Sequence, residues 1–164
     1  VIKDMSSQKQ GVYKVGEQML GYQIVKILRA RVVLLKGGKI SLLDFPLGRE
    51  LELVVVVSAD ERIINRSVLA KKIPDLNTAV QKAIPIPYIE SGKIIGFKII
   101  KLRDKDLAKM AGIKEGDVVL SVNGERLNSI QDTLDIYSRV KNQEKINLEI
   151  KRGREIKNLI YHIL

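Results

Sequence analysis

The chain has 164 residues, a formal net charge of +10 and no cysteine. A content of 45% hydrophobic and 29% charged residues excludes an intrinsically disordered chain, and the lack of cysteine excludes disulfides, thiol nucleophiles and thiolate metal sites. The longest apolar run, 53–57, is far shorter than the roughly 20 residues that cross a bilayer.

The surplus of basic residues favours an acidic protein, anionic lipid or nucleic acid as a partner. Surfaces that bind nucleic acid usually add aromatic stacking residues or a clustered basic stripe. Aromatic residues are only 4% of this chain, and acidic residues interrupt the lysines and arginines throughout. We therefore expect no nucleic-acid partner. A basic nucleic-acid domain remains a third alternative, and it would predict steeply salt-dependent binding to any duplex.

Residues 1–46 have the pattern of a small all-β module. Val1 and Ile2, a polar stretch and then Val12 indicate a short hairpin, and the Gly-Gly pair at 37–38 favours a two-residue turn between two longer strands. A module of this size is marginally stable alone, so we expect it to be truncated at its N-terminus. Because the chain starts without methionine, we expect an anchor or signal segment before it. The predicted longer strands are Tyr22–Leu28, Arg31–Lys36 and Lys39–Asp44.

Residues 47–64 are predicted to be a linker, because Pro46 and Gly48 break the strand pattern; within it, Leu51 to Val57 suits either a strand or an apolar linker segment. A helix should start at Ser67 and a second should cover 75–83. Pro85 and Pro87 end this helical lead-in, since each proline disfavours helix at the preceding residue.

The remaining chain alternates strand and helix signals and completes a second domain, predicted to cover 65–164. Gly112 can end a helix, Asn123 and Gly124 form a favoured turn pair, and Ser129 begins a capped helix. Ile156 falls out of phase in the last strand, which predicts a bulge. The predicted elements are a strand at 97–102, a helix at 105–111, a strand at 118–122, a helix from 129, a strand at 145–151 and a strand that ends near 163.

No reaction can be assigned to the sequence. Asp117 follows a turn glycine, where an acid usually accepts hydrogen bonds from nearby backbone N–H groups. His162 is the single histidine and has neither triad partners nor further metal ligands at a useful spacing. We therefore expect a non-enzyme with no cofactor and no metal.

The segment 112–125, Gly-Ile-Lys-Glu-Gly-Asp-Val-Val-Leu-Ser-Val-Asn-Gly-Glu, resembles the most recognisable stretch of PDZ domains. The order of capped helix, strand, turn and strand after it agrees with the bacterial arrangement of that family. The resemblance implies a mostly β protein with some α: a small all-β module followed by a PDZ domain, which is a partly open β-barrel with two helices.

The whole chain resembles the periplasmic part of the general secretion pathway protein C family, the inner-membrane component of type II secretion. Residues 13–17, 24–27 and 31–35 resemble its small β module, the homology region, and 65–97 resembles the lead into its PDZ domain. The resemblance implies a periplasmic protein, anchored in the inner membrane by a segment before Val1. Its expected partners are the N-terminal domain of the outer-membrane secretin, other inner-membrane secretion components and secreted exoproteins, with homo-oligomerisation left open.

A PDZ groove receives an extended peptide by strand addition, with a helix as the second wall. The resemblance implies that the strand is 96–102 and the wall is 129–141, with backbone N–H groups of 95–97 forming a nest for a terminal carboxylate. Ile94 stands where domains that capture free C-termini often carry glycine, so a free C-terminus and an internal strand both stay open as ligands. Plain core packing is the alternative role of the apolar members. The predicted groove residues are Ile95, Gly96, Phe97, Ile99, Ile136 and Val140.

In the β module, we expect the secretin to bind at the strand 31–35, treated as an unpaired edge. The predicted contacts are Arg29, Arg31, Val32 and Leu34, although Val32 and Leu34 also suit the module's core. The alternative to a secretion scaffold is the regulatory peptide-binding PDZ portion of an envelope serine protease.

Overall fold

The computed structural model describes residues 1–3, 8, 10–28, 31–44 and 54–164. The chain divides into two compact units, Val1–Leu51 and Glu52–Leu164. As predicted, the protein is mostly β with some α, and an all-β region comes first. The sheets formed by these residues are open and not closed into barrels.

The N-terminal unit contains a two-stranded hairpin and a four-stranded antiparallel sheet in the order β3-β4-β5-β6. Its core consists of Met19, Ile24, Val32 and Leu34, with Tyr13, Tyr22 and Leu43 packed against it. The predicted turn at Gly37 and Gly38 is confirmed, with both residues at positive φ. The strands are β1 (Ile2–Lys3), β2 (Gln10–Gly11), β3 (Gln18–Met19), β4 (Tyr22–Leu28), β5 (Arg31–Lys36) and β6 (Lys39–Asp44).

The expectation of a free edge at residues 31–35 is wrong, because β5 pairs with β4 on one side and with β6 on the other. Val32 and Leu34 are 3% and 6% exposed, so their side chains fill the core. Arg31 forms a bidentate ion pair with Asp44 of β6. Arg29 lies outside the described residues.

The C-terminal unit is built on a sheet in the order β7-β8-β14-β13-β11-β10-β9, with the short β12 paired to β11. The sheet is antiparallel except where β8 lies parallel to β14. The elements are β7 (Val54–Val56), β8 (Glu61–Ile64), α1 (Arg66–Lys72), α2 (Leu76–Lys82), β9 (Ala83–Glu90), β10 (Lys93–Leu102), α3 (Lys105–Ala111), β11 (Val118–Val122), β12 (Glu125–Arg126), α4 (Ile130–Val140), β13 (Lys145–Arg152) and β14 (Glu155–Ile163).

The structure differs from the predicted linker 47–64 in residues 54–64, which supply β7 and β8 to this sheet. Apolar burial explains the difference. Ile64, the last residue of β8, is buried in one cluster with Val68 of α1 and with Ile150 and Leu159. The segment before the helices is therefore part of the domain's core.

Local signals in the second half are largely confirmed. Gly112 ends α3 in the left-handed conformation, and the Ser129 hydroxyl accepts from the backbone N–H of Asp132 at the start of α4. The bulge predicted at Ile156 is wrong, since β14 pairs with β13 without a register shift. None of the helices in the described ranges is long and apolar enough to span a membrane.

Candidate peptide-binding groove

The strand predicted to receive a ligand, β10, lies inside the sheet. It pairs with β9 along its length and with β11 at Phe97 and Lys98, so its central part lies between two strands. Gly96 explains the close approach to β11, because a Cβ there would lie 2.3 Å from the carbonyl oxygen of Val119. Ile95 sits where the pairing with β9 shifts register. The expected carboxylate nest at 95–97 is therefore wrong.

The predicted apolar groove residues lie mainly in the core. Phe97 and Ile136 are 7% and 3% exposed and pack together with Leu127, while Val140 is half-buried against them. Ile99 is buried as well. Core packing, the alternative role for these side chains, is what the structure gives them.

Among the strands that the structure describes, β9 is the edge strand on this side of the sheet. The hydrogen bonds of β10 show which backbone groups of β9 point away from the sheet. The N–H of Ile99 donates to the carbonyl of Asp117 and its carbonyl accepts from Gly116, so the backbone polar groups of Ile99 point toward β11. Those of Lys98 then point toward β9, where Lys98 pairs with Ile86. By the same alternation, the backbone carbonyl groups of Pro85 and Pro87 point away from β10.

This edge is poor in hydrogen-bond donors. The four outward positions of β9 are 83, 85, 87 and 89, and two of them are prolines without an N–H. The N–H of Ala83 donates to the carbonyl of Ala79 at the end of α2. Of these four positions, Ile89 alone has an N–H that can meet a ligand. A row of carbonyl acceptors with one donor cannot pair normally with an added strand and disfavours a terminal carboxylate.

The α4 stripe, defined as Ile130, Leu134 and Tyr137, is the exposed apolar face of the second wall. These residues lie at positions i, i+4 and i+7 on one side of the helix. Ile130 and Leu134 are 65% and 44% exposed. Burial raises the pKa of Tyr137, and the carboxylate of Asp75 at the start of α2 raises it further. The sequence periodicity separates this stripe from that of Ile136 and Val140 without telling which one is exposed.

The β9 strand is fixed to the sheet through contacts with β13. The Lys151 ammonium group lies 2.7 Å from the Glu90 carboxylate and 5.2 Å from the centre of the Tyr88 ring. The hydrogen bond from Lys151 lowers the pKa of Glu90, and the same bond raises the pKa of Lys151. These contacts hold an otherwise one-sided strand in position.

Asp117 has the structural role that its sequence context predicts. It is 1% exposed and accepts from the N–H of Lys114 at 2.8 Å. Arg152 binds both of its oxygens, at 2.7 and 2.6 Å, and this contact raises the pKa of Arg152. His162 is buried in β14 and contacts the Glu61 carboxylate at 2.7 Å.

A family model described as the PDZ domain matches residues 74–161. The chain belongs to the PDZ domain family. PDZ domains are protein-interaction modules and not catalytic units, so this half of the chain is a binding domain.

The curated relatives with similar sequences are proteases. The chain is 33% identical to the serine protease HTRA1B of Danio rerio over 75 residues, which cover 46% of this chain and 14% of that protein. It is 28% identical to a serine protease HtrA-like of Staphylococcus epidermidis over 97 residues, 58% of this chain and 16% of that protein. The chain therefore spans about one seventh of the length of these relatives.

Solved PDZ domains also align with this chain. The PDZ domain of EpsC from Vibrio cholerae matches with a TM-score of 0.47 and 16% identity, over 59% of this chain and 90% of that one. The PDZ domain of the pullulanase C protein of the type II secretion system from Klebsiella pneumoniae, solved with a fatty acid, gives a TM-score of 0.44 and 16% identity over 57% of this chain and 98% of that one.

Proposed function

We propose that the chain is a periplasmic interaction component of a type II secretion system that links the inner-membrane platform to the outer-membrane secretin. The N-terminal unit binds the N-terminal domain of the secretin. The PDZ domain receives a second protein, such as a secreted exoprotein. The motifs of the N-terminal unit, their order ahead of a PDZ domain and the binding role of PDZ domains support this proposal.

The edge of β6 carries the proposal. Within the described part of the N-terminal unit, β6 ends the four-stranded sheet. Lys36 and Lys39 close a two-residue hairpin and therefore form a hydrogen-bonded pair, so the backbone groups of Ile40 and Leu42 point away from β5 by alternation. No proline occurs in this strand. An edge of this kind can recruit a strand of a partner through backbone pairing.

In this proposal Arg31 stabilises the binding strand and does not contact the secretin directly. Its ion pair with Asp44 joins β5 to β6 at the end of the edge, and the Arg31 side chain is 12% exposed. It therefore stabilises the binding strand and is not itself a free surface charge.

The PDZ domain binds its ligand through side chains more than through strand addition. The α4 stripe supplies apolar contact area, while the outward edge of β9 supplies mostly carbonyl acceptors. This arrangement favours a folded domain or an internal segment over a free C-terminus.

Calorimetric titration of the full chain with the cognate secretin N-terminal domain tests the proposal. We expect measurable binding that is lost in Leu42→Pro, which removes one outward N–H of β6. The matched control is Ile89→Pro, which makes the same change on the β9 edge and should leave the affinity unchanged. Circular dichroism verifies that both variants fold. Undetectable binding by the parent chain rejects the secretin assignment, and unchanged binding in a folded Leu42→Pro variant rejects this edge.

The second candidate is the regulatory PDZ portion of an envelope serine protease, which the HtrA-type relatives favour. The sequence of the native gene upstream of Val1 separates the two functions. A membrane-spanning segment there supports the secretion component, and a Ser-His-Asp protease domain supports the alternative.

A further inference from the structure

A second candidate site lies apart from the groove, in a cavity of about 910 Å³ in the C-terminal unit. The cavity is lined by α3 and the segments around it, by the connection between β7 and β8, and by the ends of β13 and β14. Its lining includes six basic and three acidic side chains, so its charge is positive. The basic residues are Arg62, Lys105, Lys109, Lys114, Arg152 and Lys157.

Arg62 on β8 is the unusual member of this lining. It is 7% exposed, and its Nη2 donates to the carbonyl of Ala59 at 3.0 Å. Its Nε and Nη1 are buried and have no hydrogen-bond partner within the described residues. Arginine keeps its charge in proteins, and a buried donor without an acceptor is unfavourable. The guanidinium group therefore has unused donors for an acceptor that a ligand can supply.

The neighbouring backbone leaves room for this side chain. Gly112 ends α3 at a φ of 70°, and a Cβ at this position would lie 2.1 Å from Nη2 of Arg62. The glycine thus serves two requirements, the left-handed helix end and the space for the guanidinium group.

The second arginine of the cavity is already neutralised. Arg152 binds the buried carboxylate of Asp117 with two hydrogen bonds and donates a third to the carbonyl of Gly112. Among the residues that the structure describes, Arg62 has no such carboxylate partner. The ion pair with Asp117 therefore satisfies the hydrogen-bond donors of Arg152, and Arg62 is left as the group that can bind a ligand.

We propose that this cavity binds the carboxylate groups of an acidic protein segment, with Arg62 as the central contact. Carboxylate oxygens accept strong hydrogen bonds from a guanidinium group, and the unused Nε and Nη1 donors of Arg62, which point to different sides of the group, can each bond a separate carboxylate. The cavity is much larger than one carboxylate, and Lys105, Lys109 and Lys114 extend its positive charge to the exposed rim. Both features favour several acidic side chains in sequence over a single free anion. The inference is independent of the proposed role in secretion, because it involves neither β6 nor the α4 stripe.

Fluorescence anisotropy with a labelled oligoglutamate peptide tests the inference on the full chain, with oligoglutamine as the uncharged control. We expect saturable binding of oligoglutamate alone. Arg62→Met should weaken it by about tenfold or more, and Lys109→Met should weaken it less. Lys93→Met is the matched control: it removes one charge from an exposed position outside the cavity lining and should leave the affinity nearly unchanged.

The thermal midpoint of Arg62→Met separates a binding role from a structural one. Methionine fills similar space without unsatisfied donors, so we expect this variant to melt at or above the parent midpoint. Ala108→Glu is a second test of the site, since it places a negative charge in the cavity lining on α3 without changing Arg62, and it should also weaken oligoglutamate binding by about tenfold or more.

Competition by citrate identifies the source of the carboxylate. Weak competition supports an acidic protein segment, whereas displacement at low citrate concentration shows that the cavity takes small carboxylates and overturns the choice of a protein ligand. Absence of oligoglutamate binding, or full affinity in both Arg62→Met and Ala108→Glu, overturns the site itself.

Discussion

In the part of the chain that the structure describes, β6 forms an edge of the N-terminal sheet and β9 an edge of the PDZ domain's sheet, and the two edges differ in their backbone donors. The outward positions of β6 include Ile40 and Leu42, which keep their N–H groups. The outward positions of β9 include Pro85 and Pro87, which have none. Both strands are antiparallel edge strands, but β6 offers more outward N–H groups to a partner strand than β9 does.

The difference teaches that membership of a binding family does not fix the mode of binding. A PDZ domain that receives a peptide by strand addition needs donors and acceptors alternating along its edge strand. Here the prolines protect the β9 edge from pairing, as edge prolines do in other sheets. We infer that backbone pairing takes place at β6 and side-chain contact at the PDZ groove.

The largest expected effect concerns the interior position of β10, on which the assignment of β9 as the edge depends. Gly96→Val places a branched side chain against the backbone of Val119, so we expect a loss of about 3 kcal/mol or more in the unfolding free energy of the PDZ domain. Denaturant unfolding measures the change. Ile100→Val, at an exposed position of β10, is the control and should stay within about 0.5 kcal/mol. Equal stability of both variants would mean that β10 is not confined between two strands.

The next largest effect on stability concerns the ion pair between Arg31 of β5 and Asp44 at the end of β6. Arg31→Glu places two carboxylates opposite each other, because residue 31 pairs with Asp44. We expect the N-terminal unit to lose about 1–2 kcal/mol of stability. The charge swap Arg31→Asp with Asp44→Arg should recover part of that loss in a double-mutant cycle. A stability unchanged by Arg31→Glu would show that Arg31 is a free surface charge after all.

A gain of function tests the β9 edge. Pro85→Val combined with Pro87→Thr restores two outward donors, so the double variant should self-associate about tenfold more strongly than the parent chain, equivalent to about 1.4 kcal/mol. Sedimentation velocity over a concentration series measures this change. Pro74→Val, which replaces a proline between the two lead-in helices, is the control and should not alter association. If the double variant associates no better than the control, the prolines are not what protects this edge.

The smallest expected effect concerns Asp104, the N-cap residue of α3, which also contacts the end of α2. Its carboxylate accepts from the N–H of Leu107 at the start of α3 and lies 3.3 Å from Lys82. The hydrogen bond to Leu107 is the main cause that lowers the pKa of Asp104 below 3.8. Asp104→Ala should cost about 1 kcal/mol at neutral pH, as the loss of an N-cap does.

The pH dependence of this cost has a defined sign. A carboxyl whose pKa is lowered in the folded state stabilises the fold above its unfolded pKa and loses that contribution as the pH falls through the folded pKa. The parent chain and Asp104→Ala should therefore approach equal stability in acid below pH 3.8. Thermal melts from neutral to acidic pH measure the difference. A difference that stays constant in acid would contradict the role of the ionised carboxylate.

The features of the fold that short-range signals encode could be predicted from the sequence. The Gly-Gly turn at 37–38, the helix end at Gly112 and the cap at Ser129 depend on a few neighbouring residues, and all three occur as predicted. The strand partners could not be read in the same way. The parallel pairing of β8 with β14 joins residues about one hundred positions apart, and no local pattern specifies it.

The site was predicted less well than the fold, for two physical reasons. Pro85 and Pro87 indicated the end of a helical lead-in, whereas an edge strand tolerates proline wherever its N–H would face outward. The two apolar stripes of α4 are similar in composition, so the choice between Leu134 and Ile136 as the exposed residue depends on packing with Phe97 and Leu127. The unsatisfied donors of Arg62 have no sequence signal at all.

Amide hydrogen exchange of the full chain, with and without the cognate secretin N-terminal domain, tests the difference between the two edges most directly. A strand that pairs with β6 must bond to its outward N–H groups, which slows their exchange with solvent. We predict slower exchange at Ile40 and Leu42 and unchanged exchange in Ala83–Glu90. Protection of Ala83–Glu90 with none at Ile40 and Leu42 would contradict the account.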